Sequence, residues 1–369
     1  MQYQKFRETP RLYLPEMAWA LFMLGLLFSL IPHAVGSYEE MGDIALISRQ
    51  NALAADFDVL RGAYSRLGFF HPGPISFYWM AFVDWLLPDS WFAQYSHYYP
   101  YCMAVWLANT LMGLASLGAA RKSGLSFLNR LLLLSLIVFF LWHLGGHLFF
   151  SPWGPHLTIL PMLWFCLNLI RAGEGDFKAL PALAFASIWI LHSHAGSLIF
   201  LGPSLLYLLF LWYGLNRENS LDWQKLRTPF LLGLLILLVG LSLPVYEALV
   251  NDGGNIAAIL HYLGENSTWR KPGKALLFML STMDGPLATV APIFFPASLM
   301  ALYWIRKRLA RKEKRLLIAC VIVMLGSFYG ALRTPGVLVP HLFDHLLSIQ
   351  AVFVSVVWTP LLGRIGHLL

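Results

Sequence analysis

The chain has 369 residues, of which 58% are hydrophobic and only 12% charged. Soluble domains carry about twice that charged fraction, so a water-soluble globule is excluded. The formal charge of +7 would suit nucleic acid, but the basic residues sit in short connectors between apolar runs, where they set membrane orientation instead.

In chain order, a basic start (Lys5, Arg7, Arg11) leads into the apolar run Met17 to Leu30. Two prolines and Glu16 precede or open that run and no persuasive cleavage site follows, so it reads as a retained anchor rather than a signal peptide. A bilayer needs roughly 20 apolar residues per helical crossing, because lipid offers the backbone no hydrogen-bond partners. Ten runs are expected to cross: about 16–36, 101–119, 127–150, 156–170, 179–193, 197–214, 229–250, 288–305, 315–333 and 348–366. The expected fold is an all-α polytopic membrane protein forming a single transmembrane domain over 1–369, with no soluble C-terminal domain. Eleven or twelve spans stay open as alternatives.

The first two spans are separated by a long outer loop, 37–100. It carries SYEEMGDIAL with Glu39, Glu40 and Asp43, and then GAYSRLGFFHPGPISFYW from Gly62 to Trp79. The apolar neighbours of Asp43 (Met41, Ile44, Ala45, Ile47) suggest an amphipathic helix lying in the interface. The run PISFYWMAFVDWLL, 74–87, is short for a crossing and interrupted by Asp84, which suits a re-entrant or interfacial helix. Further outer pieces are SPWGPH (151–156), HSHAG (192–196), a second long loop at 251–287, and 334–347.

With the N-terminus cytoplasmic, nineteen of the 26 Lys and Arg fall inside, including seven between Arg306 and Arg315. That is a positive-inside bias. Eleven of the 12 histidines and most carboxylates fall outside. His143/His147 and His341/His345 are spaced i, i+4, as a shared ion would require, but no HExxH or carboxylate-rich set completes a metal site. The reading is therefore no protein-bound metal, with the histidines hydrogen-bonded across helices. Cys102, Cys166 and Cys320 are far apart within apolar runs and read as small buried hydrophobes.

The stretch GDIALISRQ…LRGAYSRLGFFHPGPISFY resembles uncharacterised bacterial membrane proteins with a GDxAL…GxYSRxGxxHPGPxxFY pattern, usually grouped with the GT-C superfamily. That superfamily comprises polytopic glycosyltransferases that use polyprenyl-phosphate-linked sugars, such as the protein O-mannosyltransferases and the lipid A aminoarabinose transferases. The match covers roughly residues 42–78. It implies an inverting transfer on the outer face of a bacterial inner membrane, from a polyprenyl-phosphate sugar to a cell-envelope glycan, lipid or protein. By this resemblance Asp43 is the general base, with Glu40 in reserve. Arg66 and His71 within the motif, with Arg61, Arg270 and Arg333, would serve the lipid phosphate, and Tyr64 sits in the same motif. Trp153, His156 and His194 would face the sugar. No cofactor is required, and a divalent cation assisting the phosphate is an open alternative. The chain departs from many relatives in carrying EE before GD and no sizeable outer domain.

Two rival classes remain. A transporter or flippase of a lipid-linked or metal substrate would favour repeats and broken helices at the midplane, and neither is visible. A non-catalytic scaffold of an envelope assembly would tolerate neutralisation of Asp43.

Overall fold

The computed structural model describes residues 2–33, 41–87, 98–288 and 294–365, with side chains over 13–28, 41–87, 98–283 and 296–363. Among the described residues there are fourteen α-helices and no strand. They are α1 (Gln2–His33), α2 (Asp43–Ala55), α3 (Ile75–Leu86), α4 (Tyr98–Lys122), α5 (Phe127–His143), α6 (Ile159–Gly173) and α7 (Leu180–Ser193). After these come α8 (Leu198–Arg217), α9 (Trp223–Val250), α10 (Gly254–Glu265), α11 (Pro272–Ala288), α12 (Phe294–Ile305), α13 (Arg311–Arg333) and α14 (Leu346–Ile365).

Among the described residues, six helical segments are long and apolar enough to cross a bilayer. They are Tyr98–Lys122, His156–Gly173, Ala195–Arg217, Trp223–Val250, Arg311–Arg333 and Leu346–Gly363. The other four runs expected to cross correspond, over the residues whose side chains are described, to shorter apolar stretches: Tyr13–Phe28 within the 32-residue α1, Phe127–His143, Phe177–Ser193 and Pro296–Ile305. The run expected over 127–150 stops early for a local reason. After His143 the backbone turns at Gly145, whose φ of 110° is open to glycine, and a 3-10 turn follows at Gly146–Phe149. The short run at 74–87 is the 12-residue helix α3. The segment 251–287 carries α10 and most of α11.

The centre of the bundle is α6. Every residue of it except Trp164 is buried, and it packs against α4, α7, α8, α13 and α14. By contrast α9 buries only Leu226, Gly233, Pro244 and Glu247. It leans on α7 through glycines: Gly233 faces the Leu180 carbonyl, and a Cβ at Gly240 would meet Ile188 at 2.8 Å. Small residues let membrane helices approach closely, where dispersion rather than water expulsion drives contact.

The two ends of the bundle differ in chemistry. At one end, the α4–α5 corner puts Arg121 and the buried Arg130 on Glu16 of α1, at 3.0 and 3.4 Å. There too Arg171 pairs with Asp176, Arg315 with Glu174 and Arg311 with Glu218. The other end gathers the N-terminus of α6, the C-termini of α7, α9 and α13, and the segment from α2 to α3. A second small core holds that segment in place: Ile47, Ala54, Val59, Phe77, Met80 and Val83 pack on Tyr101 and Val105 of α4. Tyr78 donates to the Val59 carbonyl at 2.8 Å, and Trp79 to that of Ala104 at 2.7 Å.

Candidate functional site

The segment Gly62 to His71 folds as a narrow hairpin. Gly62 N–H donates to His71 O (2.9 Å), His71 N–H to Ala63 O (2.8 Å) and Ser65 N–H to Phe69 O (2.8 Å). Gly68, at φ 85°, closes its tip. The motif's other glycines are fixed by space. A Cβ at Gly62 would sit 2.8 Å from the Gly73 carbonyl, and one at Gly73 would sit 2.3 Å from Cε1 of His192. The HPGP turn therefore rests directly on the buried ring of His192 before Pro74 caps α3.

Asn255, from the start of α10, works as a substitute strand along the hairpin. Its Oδ1 accepts from Phe70 N–H at 2.7 Å and its Nδ2 donates to Phe70 O at 2.9 Å. The Asn255 N–H in turn donates to Glu247 of α9 at 2.8 Å. Glu247 is only 1% exposed and is held by Arg61 at 3.0 Å. Arg61 thus braces the α9–α10 corner and stacks over Phe70; it does not line the cavity described next.

Three polar inter-helix segments interlock around His71. Ala195 of the HSHAG turn donates its N–H to His71 Nδ1 at 3.2 Å, and the His71 and His194 rings lie 5.5 Å apart. Gly154 of SPWGPH is so close that a Cβ there would meet the Ser193 carbonyl at 2.7 Å. His194 is held as the neutral Nε2–H tautomer, because Nδ1 accepts from Gly196 N–H while Nε2 donates to Leu342 O.

A cavity of about 870 Å³ opens beside this junction. Its polar wall includes Asp43, Tyr64, Arg66, His71, Trp153 and His194, and Arg333 lines it from the end of α13. Its apolar wall comes from Ile199 and Phe200 of α8, Tyr262 and Leu263 of α10, and Tyr329 of α13. Asp43 is exposed and is the first residue of α2, where the helix dipole favours a carboxylate. It accepts from Trp153 Nε1 at 3.1 Å. The Trp153 ring packs between His341 and His156, at centroid distances of 4.3 and 5.0 Å.

Of the other residues expected at the site, His156 lies one layer behind the wall. Its Nδ1 meets Ser151 Oγ at 2.7 Å, and its Nε2 meets Asp344 at 3.4 Å. Arg270 is committed to carbonyl groups after α13, those of Thr334 and Gly336, and does not line the cavity. Arg333 lines the cavity while also donating to the Asn266 carbonyl, and Arg66 donates to Val337 O at 3.2 Å. Glu40 lies outside the described residues.

His341, Asp344, Asn255 and Glu247 were not singled out as site residues from sequence. Burial pushes the Asp344 carboxyl up to about 7. Burial, and next the Arg66 charge, draw His341 below its ordinary range, with Asp43 opposing. The signal for the first pair was present in HLFDH, where both residues follow a proline turn. Among the described residues, no group of three or more His, Cys, Asp or Glu gathers as a metal set.

No family model matches this chain, and no curated protein matches it. The functional reading rests on the site itself.

Proposed function

We propose that the protein is a membrane glycosyltransferase of the GT-C type, with the cavity as its active site on the outer face. In this reading the four shorter apolar helices complete ten spans. The N-terminus and the ion-paired end lie in the cytoplasm of a bacterial cell, and the site faces the periplasm. The positive-inside distribution of Lys and Arg supports that orientation. The observation that carries the proposal is that one cavity is lined by an exposed carboxylate, Asp43, by three arginines, Arg49, Arg66 and Arg333, and by apolar side chains including Ile199, Phe200 and Leu263.

Those groups match the needs of a displacement at a polyprenyl-phosphate sugar. Asp43 takes the proton from the acceptor hydroxyl as its oxygen bonds to the anomeric carbon. The bond from that carbon to the phosphate oxygen breaks, inverting the centre and releasing polyprenyl phosphate. A positioned base contributes about 10²–10⁴ in rate. Arg66 and Arg333 stabilise the charge that develops on the departing phosphate, in a site where low dielectric strengthens the interaction. The donor's isoprenoid chain lies along the apolar wall, and a cell-envelope glycan, lipid or protein supplies the hydroxyl.

The test is sugar transfer from decaprenyl-phosphate hexose and pentose donors by purified protein in lipid nanodiscs. Asp43→Asn is expected to fold, reach wild-type membrane levels and lose transfer by about 10²-fold or more. Wild-type-like transfer by Asp43→Asn, or none by wild type from any such donor in the presence of envelope extracts, would overturn the proposal.

A further inference from the structure

The resemblance places His71 beside the lipid phosphate, and its surroundings bear on the charge it would carry there. Its Nδ1 accepts the Ala195 backbone N–H at 3.2 Å, so that nitrogen must carry a lone pair. In a singly protonated imidazole the proton is then on Nε2, since the hydrogen bond at one ring nitrogen fixes the tautomer at the other. Among the described residues, Nε2 has no hydrogen-bond partner. His71 lines the cavity.

The titratable groups around the ring disfavour a second proton. His194 lies 5.5 Å away across the HSHAG turn, and His192 sits beneath Gly73, two residues on. The nearest acid along the motif's own brace, Glu247, is already taken by Arg61 and Asn255. Burial, followed by His194, pushes His71 down to about 3.

We propose that His71 is an uncharged hydrogen-bond donor, presenting Nε2–H to an anionic oxygen of a phosphate bound in the cavity. This deepens the transferase reading and rests on it. The phosphate would be met by the guanidinium charges of Arg66 and Arg333 and by one neutral N–H. A neutral donor stabilises the leaving oxygen without handing it a proton or titrating away through the physiological range.

The experiment uses the full chain in nanodiscs and decaprenyl phosphate as the probe, with binding measured from pH 5.5 to 8. Two variants separate the ring's edges. His71→Asn keeps an acceptor for Ala195 but has no atom at the Nε2 position. His71→Gln places an amide N–H there. Monodispersity and the unfolding midpoint report whether each variant folds.

The expected result is that His71→Gln binds within about threefold of wild type. His71→Asn weakens binding by about 10- to 100-fold, the worth of a hydrogen bond to a charged group. The wild-type-to-Gln ratio stays constant across pH, which cancels the phosphate's own titration. A ratio rising about tenfold as pH falls through 6.5 would mean a cationic His71 and overturn the inference. So would wild-type binding by His71→Asn. Failure of wild type itself to bind decaprenyl phosphate would remove the transferase reading and the inference with it.

Discussion

The indole N–H of Trp153 meets the Asp43 carboxylate at 3.1 Å, across 110 positions of sequence. Trp153 is itself lodged between the rings of His341 and His156. The carboxylate assigned as base is therefore oriented by a side chain that has little freedom of its own. Trp153→Phe keeps a ring in that slot and deletes only the donor. Transfer should fall about tenfold, at the low end of the worth of a hydrogen bond to a charged group, because Asp43 is exposed. The unfolding midpoint should stay within a degree or two. An unchanged transfer rate would make Trp153 a packing residue only.

Glu247 is a nearly inaccessible carboxylate balanced by Arg61. Removing one partner of such a pair leaves a charge in low dielectric, whereas removing both does not. Arg61→Met is expected to destabilise the protein by about 3 kcal/mol, low in the usual range because Arg61 itself is part-exposed. Adding Glu247→Gln should recover most of the loss, as read by denaturation of purified protein in detergent. Equal additive losses would show that the pair is not coupled.

The seat of the HPGP turn offers a steric test. Gly73→Ala would drive a methyl into the His192 ring, which is buried and has little room to move. A loss of about 1–3 kcal/mol is expected, the usual cost of forcing atoms into a packed site. His192→Ala in the same chain should relieve it. If the single variant is as stable as wild type, the contact yields more easily than its geometry suggests.

Asp344 supplies a pH dependence. Burial raises its folded carboxyl to about 7, above the ordinary value near 3.9 expected of the unfolded chain. The folded state thus holds more protons than the unfolded state between those values. Stability from this group is greatest below about pH 4, declines as pH rises, and levels off above about 7. Asp344→Asn should flatten the unfolding midpoint of the protein over that window, relative to wild type. A parallel profile in the variant would assign the dependence to another group.

Local signals were plain in the sequence, and their convergence was not. The HPGP, SPWGPH and HSHAG segments each stood out as polar, Gly/Pro-shaped pieces between apolar helices. Nothing in their spacing announced that Ala195 would bond His71 or that Gly154 would abut Ser193. Arg66 lies inside the motif and Arg61 just before it, and both were expected to serve the phosphate. The hairpin sends one to Glu247 and the other to the cavity. Glu247 drew no notice because it closes an apolar run, and Asn255 because a lone amide has no periodicity to reveal its role. Helix length was misjudged where hydrophobicity outlasts helical backbone, as in the aromatic stretch beyond His143.

The burial of α6 on nearly all sides has a mechanical consequence. Lipid grips a membrane protein only where helices face it, and changes in bilayer thickness act through tilt of those helices. The outlying α8 and α9 are open to such forces, while α6 is screened from them by its neighbours. SPWGPH enters α6 directly, so Trp153 and the Asp43 it orients hang from a post insulated from the surrounding membrane. The Asp43–Trp153 corner of the cavity can hold its shape in thick and thin bilayers alike, while the apolar wall contributed by α8 shifts with the lipid.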